Sequence, residues 1–403
     1  MFDISLLSPI HMRRCLAPIL ESTNVKRRFG RLLVDVVLFV VAPLLVPISL
    51  RAQTWNWRTE MVDQAGKFTS IAADPEGNLH LSYSDGENIK YAFRPAGAGS
   101  KWFTMEIDAG NAYTSLALDS QGHPHMCYTA RVVRYAHWDG AQWKKESITS
   151  DDAPIGYSCA VAISPDGTPY MSWYRDQNSD HTPYLHIKFA ELRNGAWIVR
   201  TLDFDLQTGK WEAMALDPRG GPILSFDAFV KGLLKCAYKV GEDWKIVTVD
   251  FRGRTNDVYN VGMGNSIAVG KSGRPRISYE DGENLKFAHV DGGDWRIELV
   301  DSFHTLGSWV GYRTSLALDS QDHPHIAYDA GGVLRHAYWD GQKWHIETLA
   351  RAGLQGYKYC SLTVDKQDSL YISYTDPDDG SLKVAIGELK TAAPINSTAN
   401  QKP

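Results

Sequence analysis

Aromatic and ionisable side chains recur through this 403-residue chain at fixed places relative to a repeated block. Just ahead of successive blocks stand Phe68, Tyr113, Tyr157, Trp211, Tyr312 and Tyr359. Shortly after the blocks come Asp85, Asp176, Asp227, Asp281, Asp329 and Asp376, with Arg131 and Arg175 interspersed. Flat rings stack on the apolar faces of sugars, while carboxylates and guanidinium groups hydrogen-bond the hydroxyls, so this mixture suits a carbohydrate ligand. Each Asp also reads as a turn cap, since Tyr-x-Asp followed by Gly is ordinary turn chemistry, and the aromatic residues also read as packing.

Turnover of a glycan would need a convergent pair of titratable groups with opposed roles. His181, Tyr259 and His304 fall in long segments on the same side of the repeats, but no spacing singles them out and no catalytic residue is assigned. Three functions therefore stay open: a non-catalytic glycan binder, a glycan-active enzyme (glycosidase or polysaccharide lyase), and a protein-interaction scaffold. The strings His123-Pro124-His125 and His323-Pro324-His325 look metal-like, but two imidazoles are an incomplete site. No metal and no cofactor is expected.

The block itself is Ser70 to Tyr83, and gap-free copies start at Ser115, Ala160, Ala213, Ser266, Ser315 and Ser361. Within each copy, small and large residues alternate, as in Ser115-Leu116-Ala117-Leu118, which is the period of a strand. A turn rich in Asp, Gly and Pro follows, then a second alternating strand. Starts 45 to 53 residues apart match a four-stranded propeller blade. A third strand ends in a base, a variable residue and Ala (Lys90-Tyr91-Ala92, Arg134-Tyr135-Ala136 and five more), and a Trp then opens a fourth. We name these strands a to d.

Only six such Trp residues follow the blocks (Trp102, Trp143, Trp197, Trp244, Trp295 and Trp344). The seventh, Trp57, precedes the first block, so the segment from Trp57 to Asp63 should complete the last blade. The expected fold is all-β: one seven-bladed propeller over residues 53–390, closed by its N-terminal strand. The bases of strand c are expected to face acids across the c–d hairpin: Arg134 with Glu146, Lys286 with Glu298, Arg335 with Glu347 and Lys383 with Glu60. The strand d Trp residues are expected to be packing.

The Asp-x-x-Gly turns between strands a and b, such as Asp74 to Gly77, resemble the Asp-box repeats of the sialidase-like propellers of secreted bacterial proteins. The resemblance is architectural and covers Trp57 to Leu389. Its nearest string, Ser164-Pro165-Asp166-Gly167-Thr168, lacks the Trp of a full Asp-box, and no residue matches the family's arginine triad, Tyr nucleophile or acid. The resemblance implies the fold and carries no sialidase activity with it.

Net charge is −5 and the basic residues are dispersed, which argues against nucleic acid as a partner. Residues 1–52 read as a secretory signal, with Lys26, Arg27, Arg28 and Arg31 ahead of an apolar run from Val36 to Ile48 and a cleavage site near Ala52. A secreted or periplasmic protein follows, with membrane attachment only if the signal stays uncleaved. Cys127, Cys159, Cys236 and Cys360 show no CxxC spacing and read as small buried packing residues. Residues 391–403 form a polar tail whose Asn396-Ser397-Thr398 accepts a glycan only in a eukaryote.

Overall fold

The computed structural model describes residues 54–97, 99–130, 132–148, 155–177, 184–202, 211–228, 232–251, 261–302, 313–351 and 359–390. The expected signal and the polar tail lie outside the described residues, as do Arg131, His181, Tyr259, His304 and Tyr312. Every regular element within them is a strand, and the strands form seven antiparallel four-stranded sheets. Blade one is Lys67–Ala73, Leu79–Ser84, Asn88–Arg94 and Phe103–Ala109. Blade seven is Cys360–Val364, Leu370–Thr375 and Leu382–Leu389, completed by Trp55–Asp63, which pairs with Leu382–Leu389 from Trp55↔Leu389 to Asp63↔Leu382. The chain thus closes its ring with its first strand.

Five of the seven a–b turns are held by the side chain of an Asp at their first position. Oδ1 of Asp74, Asp119, Asp217, Asp319 and Asp365 accepts two backbone N–H groups, those of residues two and four further on. The fourth turn residue is left-handed in every blade. Gly supplies it at Gly77, Gly122, Gly167, Gly220 and Gly273, and Asp322 and Asp368 hold φ 64° and 59° in the other two.

The apolar core is divided into seven clusters, one at each joint between neighbouring blades. Leu81 and Tyr83 of blade one pack on Val62, Leu382 and Val384 of blade seven, while Ser82, on the small face of the same strand, meets Thr114 of blade two at 2.9 Å. Large residues therefore face the preceding blade and small ones receive the next.

The innermost strands are stitched by the first residue of each block. The hydroxyls of Ser70, Ser115, Ser266, Ser315 and Ser361 accept the backbone N–H of Leu116, Val161, Leu316, Leu362 and Ile71, each in the following blade, at 2.9–3.3 Å. Blades three and four carry Ala160 and Ala213 there. At those joints, side chains do the work instead. Ser158 donates to Glu212 at 2.6 Å, and Asn265 donates to the carbonyl of Trp211 at 2.9 Å.

Two of the four cysteines differ from the expectation, while Cys236 and Cys360 are buried as expected. Cys127 and Cys159 form a disulfide between blades two and three, because Cys127 occupies the strand b position of Ser82 and Cys159 the position of Thr114. A covalent bond replaces the Ser–Thr hydrogen bond of that joint. Cys236 and Cys360 are free and buried, and burial pushes both thiols up to about 12.

The expected base–acid pairs across the c–d hairpin do not form either. The hairpin pairs Arg134 with Ser147, Lys286 with Leu299 and Arg335 with Thr348, one residue beyond each Glu, and a one-residue step reverses the face. Glu60 likewise lies opposite Val384, not Lys383. These Glu residues instead accept from the strand d Trp of the following blade: Trp102 to Glu60, Trp197 to Glu146, Trp344 to Glu298 and Trp57 to Glu347, at 2.8–3.1 Å. Pairing skips Ile107, Val249 and Val300 in strand d, and the bulge turns the next residue, an Asp, toward the following blade. There Asp108 takes Tyr128 at 2.7 Å and Arg134 at 2.5 Å, and Asp301 takes Tyr328 at 2.6 Å and Arg335 at 2.7 Å. Asp63 does the same for Tyr83 and Lys90, and Asp250 for Tyr279 and Lys286. Burial pushes the Asp63 and Asp108 carboxyls up, but these bonds outweigh it and hold both below the usual range. Lys383 remains with its own loop, on Asp376 at 2.6 Å.

Two outcomes follow from this architecture. Deleting residues 55–63 strips a strand that buries Trp55 and Val62, a loss of at least about 3–5 kcal/mol from the Trp alone. The truncated protein should melt far below the full chain, and equal melting temperatures would refute closure. Replacing the disulfide with Cys127→Ala and Cys159→Ala should cost about 2–4 kcal/mol. The pair Cys127→Ser and Cys159→Thr restores the bond used at other joints and should recover about 1 kcal/mol in chemical denaturation.

Candidate functional site

Two residues ahead of each block, the seven blades contribute one residue apiece to a ring at the d–a end of the inner strands: Phe68, Tyr113, Ser158, Trp211, Gly264, Arg313 and Tyr359. The aromatic members converge. Phe68 lies 4.0 Å from Tyr113 and 4.6 Å from Tyr359 between ring centroids, and the Tyr113 and Tyr359 hydroxyls are 3.0 Å apart. The chain turns through the left-handed region at Phe68 (φ 55°), where blade five uses Gly264 (φ 56°). Such a conformation is uncommon for a bulky residue and aims this ring at its neighbours. Arg313 joins from blade six, its guanidinium carbon 4.5 Å from the Tyr113 ring, 4.7 Å from Trp211 and 5.8 Å from Tyr359.

Immediately inside this ring is a cavity of about 170 Å³ along the central channel. Its lining is polar for so buried a place: Thr69, Thr114, Thr314, Asn265, Glu212 and Arg313, with the stitching serines. Glu212 is 7% exposed, with Oε2 accepting the Ser158 hydroxyl and Oε1 unpartnered. Burial pushes its carboxyl up to about 8, against the opposing pull of Ser158 and Arg313, so it is mainly neutral at pH 7. Arg313 has no partner for Nε or Nη2.

The acids expected on this face serve the turns. Asp85 accepts the N–H groups of Glu87 and Asn88, Asp281 those of Glu283 and Asn284, Asp329 that of Gly332, and Asp376 that of Asp378. Asp281 also pairs with Lys286 at 2.8 Å. Asp227 accepts the Trp211 N–H at 3.0 Å and so fixes the backbone of a ring member. Tyr157, Arg175 and Asp176 fall in strands Ile155–Ile163 and Pro169–Gln177, but their side chains lie outside the described residues, as do Arg131 and Tyr312 entirely. The structure therefore joins Phe68, Tyr113, Trp211 and Tyr359 into one cluster and disperses the described acids around it.

Arg313 and Glu212 were missed from the sequence. Aligning the columns one and two residues ahead of the blocks exposes both: Arg313 stands where four blades place an aromatic residue, and Glu212 where three place Thr. The histidines stay with the a–b turns and strands as expected. His125 and His325 are buried against Tyr135 and His336, and no cluster of three metal-ligating side chains occurs among the described residues.

A second concavity, about 460 Å³, lies between blades one and two at the opposite, a–b end. Phe93, Phe103, Trp138 and Trp143 make it mostly apolar. Its polar floor is already engaged, with Asp74 holding Asn78 at 2.7 Å and His80 bonded to Tyr91 at 2.7 Å.

The buried acids set a pH dependence. Glu280, 5% exposed, is pushed up to about 9, first by burial and then by the charges of Asp281 and Asp329. A carboxyl whose folded pKa lies above its unfolded one contributes stability that is full below about pH 4.5 and is lost as pH rises through the folded value. Stability should thus fall from pH 5 to pH 9, by on the order of a few kcal/mol for each group. Glu212→Gln and Glu280→Gln should each flatten that slope in thermal melts across this range. An unchanged slope in both variants would show that these carboxyls are not buried neutral.

No protein-family model and no curated protein matches the sequence. Solved structures do match. A mutant of the Aleuria aurantia lectin, in complex with alpha-methyl-L-fucoside, aligns with a TM-score of 0.50 at 15% identity, covering 74% of this chain and 100% of that one. The polysaccharide lyase Uly1 aligns with a TM-score of 0.52 at 12% identity, covering 80% of this chain and 90% of that one. At such identities, what the three proteins share is the fold.

Proposed function

We propose that this protein is an extracytoplasmic, non-catalytic propeller that binds a carbohydrate at the d–a end of its central channel. The observation that carries the reading is the ring in which Tyr113, Trp211 and Tyr359 gather around Arg313, with Phe68 packed on the two tyrosines, above a polar cavity. All four aromatic residues keep part of their surface exposed. Rings with nearby polar groups are what a sugar needs, one face to stack on and donors and acceptors for its hydroxyls. The groove between blades one and two has rings, but its polar floor is bonded to itself, whereas the channel keeps unpartnered polar atoms on Glu212 and Arg313.

Binding is preferred to turnover because the described cavity lining holds one carboxyl, Glu212, where hydrolysis of a glycosidic bond ordinarily uses two. The lectin of similar fold was solved with a fucoside, so a propeller can carry a sugar, although fold alone does not decide function. Extracytoplasmic residence rests on the N-terminal signal pattern and on the Cys127–Cys159 disulfide, a bond favoured in oxidising compartments.

A glycan array should give a bound glycan that the protein leaves intact. Calorimetry on Tyr113→Ala with Trp211→Ala should then show a loss of about 1–2 kcal/mol per ring, from apolar area returned to water. Phe103→Ala, in the opposite groove, should bind as the wild type does. A blank array, or loss in Phe103→Ala with none in the double variant, overturns the reading.

A further inference from the structure

Arg313 is the one charged member of the ring, and its guanidinium is held unusually. Its central carbon lies over the Tyr113 and Trp211 rings, 4.5 and 4.7 Å from their centroids, so two rings flank the group. Its Nε and Nη2 edge is not taken up by hydrogen bonds. Nε and Nη2 lie side by side on one side of the guanidinium, and both are buried without a hydrogen-bond partner. Two parallel donors with that spacing fit the two oxygens of a carboxylate, the strongest partner an arginine commonly takes. Buried donors of this kind are rarely left unpaired in a folded protein.

Glu212 does not fill the role. It lines the same cavity, yet it forms no ion pair with Arg313 among the described residues, and its own Oε1 is also without a partner. Because its carboxyl is mainly neutral at pH 7, it leaves the guanidinium charge uncompensated and offers a proton of its own to a ligand oxygen. Thr69, Thr114 and Thr314 also line the cavity, but their hydroxyls are engaged across the blade joints, with Ser373, Ser82 and Ser278, which leaves Arg313 and Glu212 as the groups there with unpartnered polar atoms. A cavity of about 170 Å³ compares with the roughly 150 Å³ that admits a benzene-sized molecule.

We propose that the central channel is a carboxylate-binding site in which the Nε and Nη2 edge of Arg313 grips both oxygens of the ligand and Glu212 donates a hydrogen bond beside it. The carboxylate can belong to a small free acid or to an acidic sugar. The site goes beyond the carbohydrate reading, since a free carboxylate satisfies it without any glycan. Affinity depends on Glu212 staying protonated, because its ionised form repels an anion. Among the other titratable groups around it, Cys360 is pushed up to about 12, Cys159 is locked in the disulfide, and Asp227 is a fixed negative neighbour that helps raise Glu212.

The test is calorimetry of the full chain with acetate, glucuronate and glucose at pH 7 and pH 9, repeated on Arg313→Met, Arg313→Lys and Glu212→Gln. Both carboxylates should bind at least tenfold more tightly than glucose at pH 7. Arg313→Met should abolish that preference, and Arg313→Lys should weaken it about tenfold, since lysine keeps the charge and loses the paired edge. Wild-type affinity should fall about tenfold by pH 9, while Glu212→Gln should show no such fall. Acetate and glucuronate binding alike points to a small free acid, and tighter glucuronate to a sugar acid; either supports the site. Carboxylates that bind no better than glucose overturn it, as does undiminished binding in both Arg313 variants. Carboxylate binding beside a blank neutral-glycan array would leave this site standing and remove the carbohydrate reading, and the reverse result would do the opposite.

Discussion

Seven inner strands meeting around one axis leave almost no room between neighbours, and the rest of the molecule answers to that crowding. The first residue of each block is Ser or Ala, small enough for the next strand to approach. Where it is Ser, its hydroxyl takes a backbone N–H from the following blade that has no partner within its own sheet at that point. Each such bond is worth about 1 kcal/mol and, more to the point, fixes the angular step from blade to blade. The two joints built on Ala160 and Ala213 lack this stitch and use Glu212 and Asn265, whose longer polar side chains reach the channel. The departure from the repeat and the appearance of a carboxyl and an amide in the channel lining are one event in the sequence.

Farther from the axis the gaps between blades widen, and larger groups fill them. The apolar clusters sit there, one per joint, and at the rim the strand d Trp reaches back to a Glu of the preceding blade. Where that Glu is replaced, the bond changes or disappears: Trp143 meets the sulfur of Met105, and Trp244 is left without a partner beside the blade that carries Arg200. The clasp of Tyr, base and Asp is also a joint device. Partly buried ion pairs of this kind add little net stability over a good apolar contact, but removing one member strands the others, so they enforce which blade follows which.

Much of this was legible, because a repeat reports its own errors. Seven blocks against six following Trp residues was enough to place Trp57 to Asp63 in the last blade, where the strand begins two residues earlier, at Trp55. The base–acid pairs failed by a single residue, since the turn sets the register of the c–d hairpin and a difference of one residue there changes the face, which composition does not reveal. The disulfide was missed for a different reason. Cys127 and Cys159 were judged by spacing along the chain, whereas their match to Ser82 and Thr114 in neighbouring repeats is what brings them together. The aromatic ring was visible as a recurrence, and Phe68, Tyr113 and Tyr359 do meet, with Trp211 joined to them through Arg313. That Arg313 would lie over the Tyr113 and Trp211 rings required the third dimension, because its place in the aromatic column marks it only once the repeats are aligned on the residues ahead of each block.

The join between Trp55–Asp63 and Leu382–Leu389 also decides where the ring can be held. Antiparallel order sends strand c down and strand d up, so the chain enters blade seven and leaves it at the same rim. There the Lys390 N–H bonds the Thr54 carbonyl at 2.9 Å. That rim belongs to the a–b and c–d face, opposite the aromatic ring. Both ends of the described ring, at Thr54 and Lys390, therefore leave it at one point, on the face opposite the one where the aromatic ring opens.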